Sequence, residues 1–358
     1  FPTKLIYIVT KRCHSKCVYC DIWKVKDTPG GLDQELTLEE VRTFAGANPF
    51  LQWIDFTGGE PTDRPDFVEV VQAFSVACPD LLLVHFPTNG IATKRIIAMV
   101  EDLKILLTSR LIVTVSIDGP PELNDRLRGI RNDFAHAVDT FAALRPLLGP
   151  ENVFVGMTLH GYKASCGLTT SELVEHTFAA VNDALRARHE TPIDWNTLHL
   201  NIPHFSEHYY GNGHSASEAK EGFGGDQHRA EIAEALRRTA ARAKGGGASA
   251  MRAVERIYRS EAMKYLSGKP MSITCSALLS TAYLSEKGDV YPCTIWDRPL
   301  GNVRTTGYAL MPIIEAARRD GVRRDVVARR CPNCWTPCEA YPAIGTSPVR
   351  SLLALMRG

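Results

Sequence analysis

The chain has 358 residues, 44% of them apolar and 23% charged, with a formal net charge of +1. That length buries a full core and fits one large domain or two. The balanced charge excludes the basic excess of a nucleic-acid binder and the acidic run of a disordered tail, and no run of eighteen apolar residues offers a membrane span.

The opening FPTKLIYIVT reads as a strand and not as a signal peptide; since it begins with Phe1 and not Met, upstream residues are expected. Further runs with strand character follow at 53–57 (WIDFT), 81–86 (LLLVHF), 111–117 (LIVTVSI), 153–159 (VFVGMTL) and 197–202 (TLHLNI). Helical periodicity fills the gaps at 37–46, 66–77, 95–107, 134–148 and 171–188, and Thr37 with Glu40 forms a capping-box signal for the first helix. Alternating strands and helices predict parallel βαβ units, and six of them make a partial (β/α)6 barrel of the TIM type, α/β in class, whose chemistry lies at the C-terminal ends of the strands.

The pattern breaks near residue 203. Residues 203–228 read as an exposed loop rich in Gly, His and Ser, and two helices at 230–244 and 251–268 are separated by a Gly triplet. The expected division is 1–205 for the barrel, 206–272 for a loop and helical linker, and 273–358 for a small C-terminal domain of a β-hairpin plus helices. Half of the ten cysteines lie in that last segment. Their grouping in short CxxC-type clusters fits metal or cluster ligation in a reducing cytoplasm better than disulfides.

Directly after the first strand, KRCHSKCVYCD places Cys13, Cys17 and Cys20 in a CxxxCxxC spacing. Soft thiolates on one short loop suit an iron–sulfur cluster or zinc. A [4Fe–4S] cube normally takes four thiolates, so three leave one iron open; the alternative is a zinc site completed by His14 or a distant histidine. The spacing, with Tyr19 just before the last cysteine, resembles the radical S-adenosylmethionine (SAM) superfamily. Further motifs follow in that family's order: FTGGEP at 56–61, TNG at 88–90 and SIDGPPELNDRLRG at 116–129. The resemblance covers about residues 4–202 and implies a SAM-binding [4Fe–4S] cluster on the three cysteines. It also implies a 5′-deoxyadenosyl radical that abstracts a substrate hydrogen, and a flavodoxin- or ferredoxin-type electron donor. It assigns Tyr19 to the adenine, Gly58 and Gly59 to a close backbone approach, and Glu60 to the SAM ammonium. Asn89 belongs to the third motif, Ser116 and Asp118 lie at ribose height, and Arg128 pairs with the methionine carboxylate.

In the tail, Cys275 and Cys293 frame a C-x12-G-x4-C pattern around a KGD turn, and CPNCWTPC carries Cys331, Cys334 and Cys338. This resembles the SPASM domain and its shortened Twitch form, which hold auxiliary clusters. Five cysteines are too few for two clusters, so one auxiliary [4Fe–4S] cluster is expected, with Cys275, Cys293, Cys331 and Cys334 the favoured ligands by the Twitch pattern. A structural zinc ribbon is the alternative. Cys78 and Cys166 read as free buried thiols.

Catalytic residues are not identified by sequence. Weak candidates at the strand ends and the following loop are His160, Tyr162, His199, His204, His208, Tyr209, Tyr210 and His214, each more simply a loop residue without a role; Lys24, Lys26 and Arg131 read equally well as solvated surface. The leading expectation is a radical SAM enzyme acting on a small molecule (a sugar, polyol or lipid head group) by oxidation, epimerisation or bond formation. The rival is a peptide-modifying maturase. A non-catalytic metal-bound scaffold and an RNA-modifying enzyme rank below both, since no basic stripe is present.

Overall fold

The computed structural model describes residues 1–160, 167–213, 225–243 and 250–347. Tyr162, Cys166, His214 and the Gly triplet at 245–247 lie outside the described residues.

Six strands alternate with helices through the first two hundred residues. They are β1 (Lys4–Thr10), β2 (Trp53–Gly58), β3 (Leu83–Thr88), β4 (Arg110–Ser116), β5 (Val153–Thr158) and β6 (Leu198–Asn201). All neighbours among these six are parallel, and their crossover helices are α1 (Leu38–Ala47), α2 (Phe67–Ala77), α3 (Thr93–Leu106), α4 (Pro121–Arg128), α5 (Asp133–Leu148) and α6 (Thr170–Ala187). This is the partial barrel expected from the alternation.

Local chemistry explains the boundaries. At α1 the Thr37 hydroxyl accepts from the Glu40 amide, and the Glu40 carboxylate accepts from the Thr37 amide. Thr169 and Glu172 repeat the device at α6. Helix α4, inside the fourth motif, was not anticipated. It starts on Pro121, where a missing N–H costs nothing, and ends at Gly129 with φ 67°. A Cβ at Gly129 would stand 2.8 Å from the Lys16 carbonyl, so glycine lets α4 abut the cysteine loop. Lys16 and Val18 amides then donate to the Arg128 and Leu127 carbonyls, both at 2.9 Å.

The C-terminal segment extends the barrel's own sheet. Strand β7 (Thr281–Leu284) pairs parallel with β1, from Lys4 opposite Thr281 to Tyr7 opposite Leu284, and the short β8 (Asp289–Tyr291) and β9 (Gly301–Asn302) add antiparallel. The sheet order is β6-β5-β4-β3-β2-β1-β7-β8-β9. The KGD turn predicted for the hairpin lies between β7 and β8, closed by Ser285 N–H to the Asp289 carbonyl at 2.8 Å. One apolar core runs from Leu5 and Phe56 in the barrel to Ile314 and Trp335 in the tail.

After β6 come α7 (Glu207–Tyr210), α8 (Asp226–Arg242) and α9 (Ala250–Leu266); after β9 come α10 (Met311–Arg319), α11 (Val322–Val327) and α12 (Pro337–Gly345). No described helix is long and apolar enough to cross a membrane.

Candidate functional site

The strands' inner faces enclose a cavity of about 940 Å³, at the upper end for small-molecule sites. Alternation along β3 shows how it is built. Val84 and Phe86 are buried outward, while Leu83, His85 and Pro87 are half-buried and line the cavity.

Cys13, Cys17 and Cys20 stand on the wall at the C-terminal end of β1. Burial raises all three thiols, Cys13 to about 12; Glu60 and Cys17 add to it at Cys13, Cys17 at Cys20, and Asp118 and Asp133 at Cys17. Three thiols that repel one another as thiolates are a donor set suited to a cationic iron–sulfur core, because a coordinated thiol is deprotonated outright. Gly58 and Gly59 make room for this loop. A Cβ on either would fall 2.2 Å from the Thr10 carbonyl or 2.1 Å from the Arg12 carbonyl, so the close approach they permit is that of the chain itself. The Gly59 and Glu60 amides bond to the same carbonyls at 2.9 and 2.7 Å.

Glu60 is 2% exposed, and its carboxylate accepts from Thr62 Oγ1 (2.7 Å), Thr88 Oγ1 (2.9 Å) and the Asn89 amide (2.6 Å). Asn89 in turn donates to Ser15 Oγ at 3.2 Å within the cysteine loop. Asp118 accepts from Tyr19 OH, from Arg128 Nη1 at 2.7 Å and from the Thr158 amide at 2.8 Å. Arg128 also pairs with Asp133 at 3.2 Å. Its guanidinium is thus engaged by two carboxylates of the protein itself. Ser116 lines the same wall.

Of the weak catalytic candidates, His199, His204, Tyr209 and Tyr210 line the cavity. His160, 1% exposed, stacks behind Tyr19 at 5.7 Å and is absent from the lining. Tyr209 OH meets Thr57 Oγ1 at 2.6 Å, and Tyr210 accepts from the Asp21 amide at 2.9 Å. His208 bonds to Asp297 and, through Nε2, to the Cys293 carbonyl at 3.0 Å. The turn 206–212 therefore ties the cysteine loop to the tail.

Burial pulls His199 and His204 down to about 4. The unfolded chain takes up their protons near 6.5, so it binds more protons than the fold between pH 6.5 and 4. Stability from these neutral rings is full above pH 6.5 and is lost as pH falls toward 4. About 2 kcal/mol per ring is expected. Urea midpoints at pH 7.5 and 5 check this: His199→Gln should lose less stability on acidification than the parent, and an equal loss would refute it.

Sequence reading missed a polar chain across the barrel. Lys4 Nζ pairs with Asp55 Oδ2 at 2.6 Å, Asp55 Oδ1 meets His85 Nδ1 at 3.1 Å, and His85 Nε2 meets Thr114 Oγ1 at 3.0 Å. Burial alone would raise Asp55, but Lys4 and His85 outweigh it and hold it below the usual carboxylate range. An ionised Asp55 only accepts, so a neutral His85 carries its proton on Nδ1 and Nε2 accepts from Thr114. On β5, Gly156 leaves space for Thr114: a Cβ there would meet Thr114 Cγ2 at 2.7 Å. The signal was the alternation in WIDFT and LLLVHF, which sets Asp55 and His85 on one face.

Cys275, Cys293, Cys331 and Cys334 line a second, smaller cavity. Burial raises Cys275, Cys293 and Cys334, and repulsion among the four thiols adds to it. This soft, mutually repelling donor set also suits an iron–sulfur core. Cys338 stands apart on the wall of the large cavity, where burial pushes it up to about 12 against the pull of Lys4. Among the described residues no three Cys, His, Asp or Glu side chains are grouped to hold a single metal ion.

Residues 7–166 match the family model of the Radical SAM superfamily. The chain is 31% identical over 129 residues to mycofactocin maturase MftC of Mycobacterium tuberculosis, covering 36% of this chain and 31% of that protein. It is 33% identical over 136 residues to the Fe-coproporphyrin III synthase of Methanosarcina barkeri, covering 37% and 32%. These matches span about a third of the length of the curated relatives. The solved structure of Streptococcus suis SuiB bound to S-adenosylmethionine superposes with a TM-score of 0.49 and 12% identity, over 82% of this chain and 60% of that one. The family match covers residues 7–166, a little under half of the chain, and this similarity to the radical SAM superfamily supports S-adenosylmethionine and a [4Fe–4S] cluster as cofactors.

Proposed function

We propose that this chain is a radical SAM enzyme that oxidises a hydroxyl-bearing small molecule, a sugar, polyol or lipid head group, within the barrel. The observation that carries the reading is one cavity with the three-cysteine loop on its wall and the Asp55–His85–Thr114 chain on its floor. When bound, the cluster and SAM supply a 5′-deoxyadenosyl radical able to take a hydrogen atom from carbon.

Cys13, Cys17 and Cys20 would hold that cluster, and Tyr19, the Gly58–Glu60 turn, Asn89, Ser116 and Asp118 would form the SAM pocket. Arg128, already paired twice, serves there by fixing Asp118. A hydroxyl on a carbon that has lost its hydrogen is a far stronger acid than the parent alcohol. Thr114 Oγ takes that proton while its own passes to His85 Nε2, and Asp55 steadies the imidazolium through Nδ1–H. Lys4 keeps Asp55 ionised. Cys275, Cys293, Cys331 and Cys334 would hold a second [4Fe–4S] cluster, which would supply a one-electron acceptor for the electron left on the substrate.

The match to a maturase favours a second reading, a peptide substrate. Incubation with carbon-deuterated glycerol, myo-inositol and glucose, followed by mass spectrometry of 5′-deoxyadenosine, separates the two. Deuterium from an alcohol is expected; label from a deuterated peptide and from none of the alcohols would replace the first reading by the second.

A further inference from the structure

Five backbone carbonyls between residues 271 and 279, the segment that carries Cys275, are held by three arginines. Arg323 Nη1 donates to the Cys275 and Ala277 carbonyls at 2.7 and 3.0 Å. Arg318 donates to Leu278 at 2.8 Å and Leu279 at 3.4 Å, and Arg329 to Met271 at 2.9 Å. Arg329 also lines the cavity of the four thiols and has a left-handed φ of 55°, a conformation a long side chain adopts only when its surroundings impose it.

Ion pairing does not explain these three charges. Among the described residues the ion pairs nearby belong to other arginines: Asp325 takes Arg330 at 2.7 Å and Arg298 at 3.6 Å. The nearest acidic group inward is Glu339, 3% exposed and bonded to Thr281 Oγ1 at 2.5 Å. Arg323 is half-buried; its hydrogen bonds go to carbonyls, and the groups whose negative charge reaches it are the Cys275 thiol and Glu339.

We infer that Arg323, supported by Arg318 and Arg329, is an electrostatic tuning residue that raises the reduction potential of a cluster held by Cys275, Cys293, Cys331 and Cys334. The inference rests on the reading of those four thiols as cluster ligands. Four thiolates around a cubane leave the site anionic in both oxidation states, and the reduced state carries one negative charge more. A fixed positive charge beside the ligand loop stabilises the reduced state more than the oxidised one, so the potential rises with local net charge. The site is thereby poised to receive an electron from a substrate rather than to give one. Redox-neutral outcomes such as epimerisation have no need of that bias.

The test is an EPR-monitored redox titration of the full chain in the Cys13→Ala/Cys17→Ala/Cys20→Ala background, where only the second centre reports. Arg323→Gln keeps amide donors and removes the charge; it is expected to weaken the one-electron reduction about tenfold, a fall of about 59 mV. Arg323→Lys should stay close to the parent. If Arg323→Gln loses iron, the double variant Arg318→Gln/Arg329→Gln carries the same expectation at the periphery. An unchanged midpoint with iron retained would overturn the inference, as would Arg323→Lys falling as far as Arg323→Gln, since hydrogen-bond geometry and not charge would then be at work. A parent without iron at this site overturns the cluster reading itself, and a parent with iron but insensitive variants overturns only the tuning role.

Discussion

Replacing Cys13, Cys17 and Cys20 together by alanine is expected to abolish reductive cleavage of SAM and to remove about half of the bound iron, leaving one of two cubanes in place. The two sets of thiols line separate cavities, the first at the end of β1 and the second beside Val326 of α11. Each loop is held by its own contacts: the first by the carbonyls of α4 and the Gly58–Gly59 turn, the second by arginines from α10 and α11. Iron analysis and anaerobic absorption spectra check the outcome. Loss of all iron would refute two independent sites, and surviving cleavage would refute the assignment of the first loop. Cys338→Ala is the internal control. On the wall of the large cavity and away from the other four thiols, Cys338 should be dispensable for iron at both sites.

His85→Gln is expected to lower product formation from a turned-over alcohol by about 10² to 10⁴-fold, the usual worth of a positioned general base. Deuterium transfer from the substrate carbon into 5′-deoxyadenosine should persist, because in the proposed oxidation hydrogen-atom removal precedes the proton loss assigned to His85. Thr114→Val, which keeps the shape and removes the hydroxyl, should behave alike, and Thr114→Ser should recover most of the rate. Asp55 is a poorer probe. Its removal leaves Lys4, 2% exposed, as an unpaired buried ammonium, and breaking such a pair costs about 3–5 kcal/mol of stability. The measurement is the ratio of oxidised product to deuterated 5′-deoxyadenosine. Wild-type ratios in both His85→Gln and Thr114→Val would eliminate the proton chain.

Much of this architecture was legible because its signals are local. Period-two apolar runs and capping residues mark strands and helices within a few positions, and the CxxxCxxC loop keeps its three cysteines in eight residues. What escaped depends on contacts between distant segments. Helix α4 hid inside a motif read as a strand-end loop, because its eight residues contain two charged pairs and little apolar periodicity. His85 and Asp55 looked like polar interruptions of buried strands; only closure of the barrel shows that they face each other and Thr114. For Arg128 the sequence suggested a ligand contact; its hydrogen bond to Asp118 and its ion pair with Asp133 depend on how α4 and α5 pack and could not be read from it. The separation of Cys338 from Cys334, four residues earlier, reflects the start of α12, which turns it toward Lys4 and away from the second cavity.

The parallel pairing of β7 with β1 also bears on how the chain is made. Lys4 meets Trp53 on one side and Thr281 on the other. A ribosome therefore releases β1 and β2 close together, yet the other rim of KLIYIVT waits for a partner until residues 281–284 have emerged. An apolar strand rim left open is a template for pairing with other nascent chains. Docking of β7 closes that rim and joins the two parts into one sheet, so the wall that carries Cys338 can be completed only after the tail has been made.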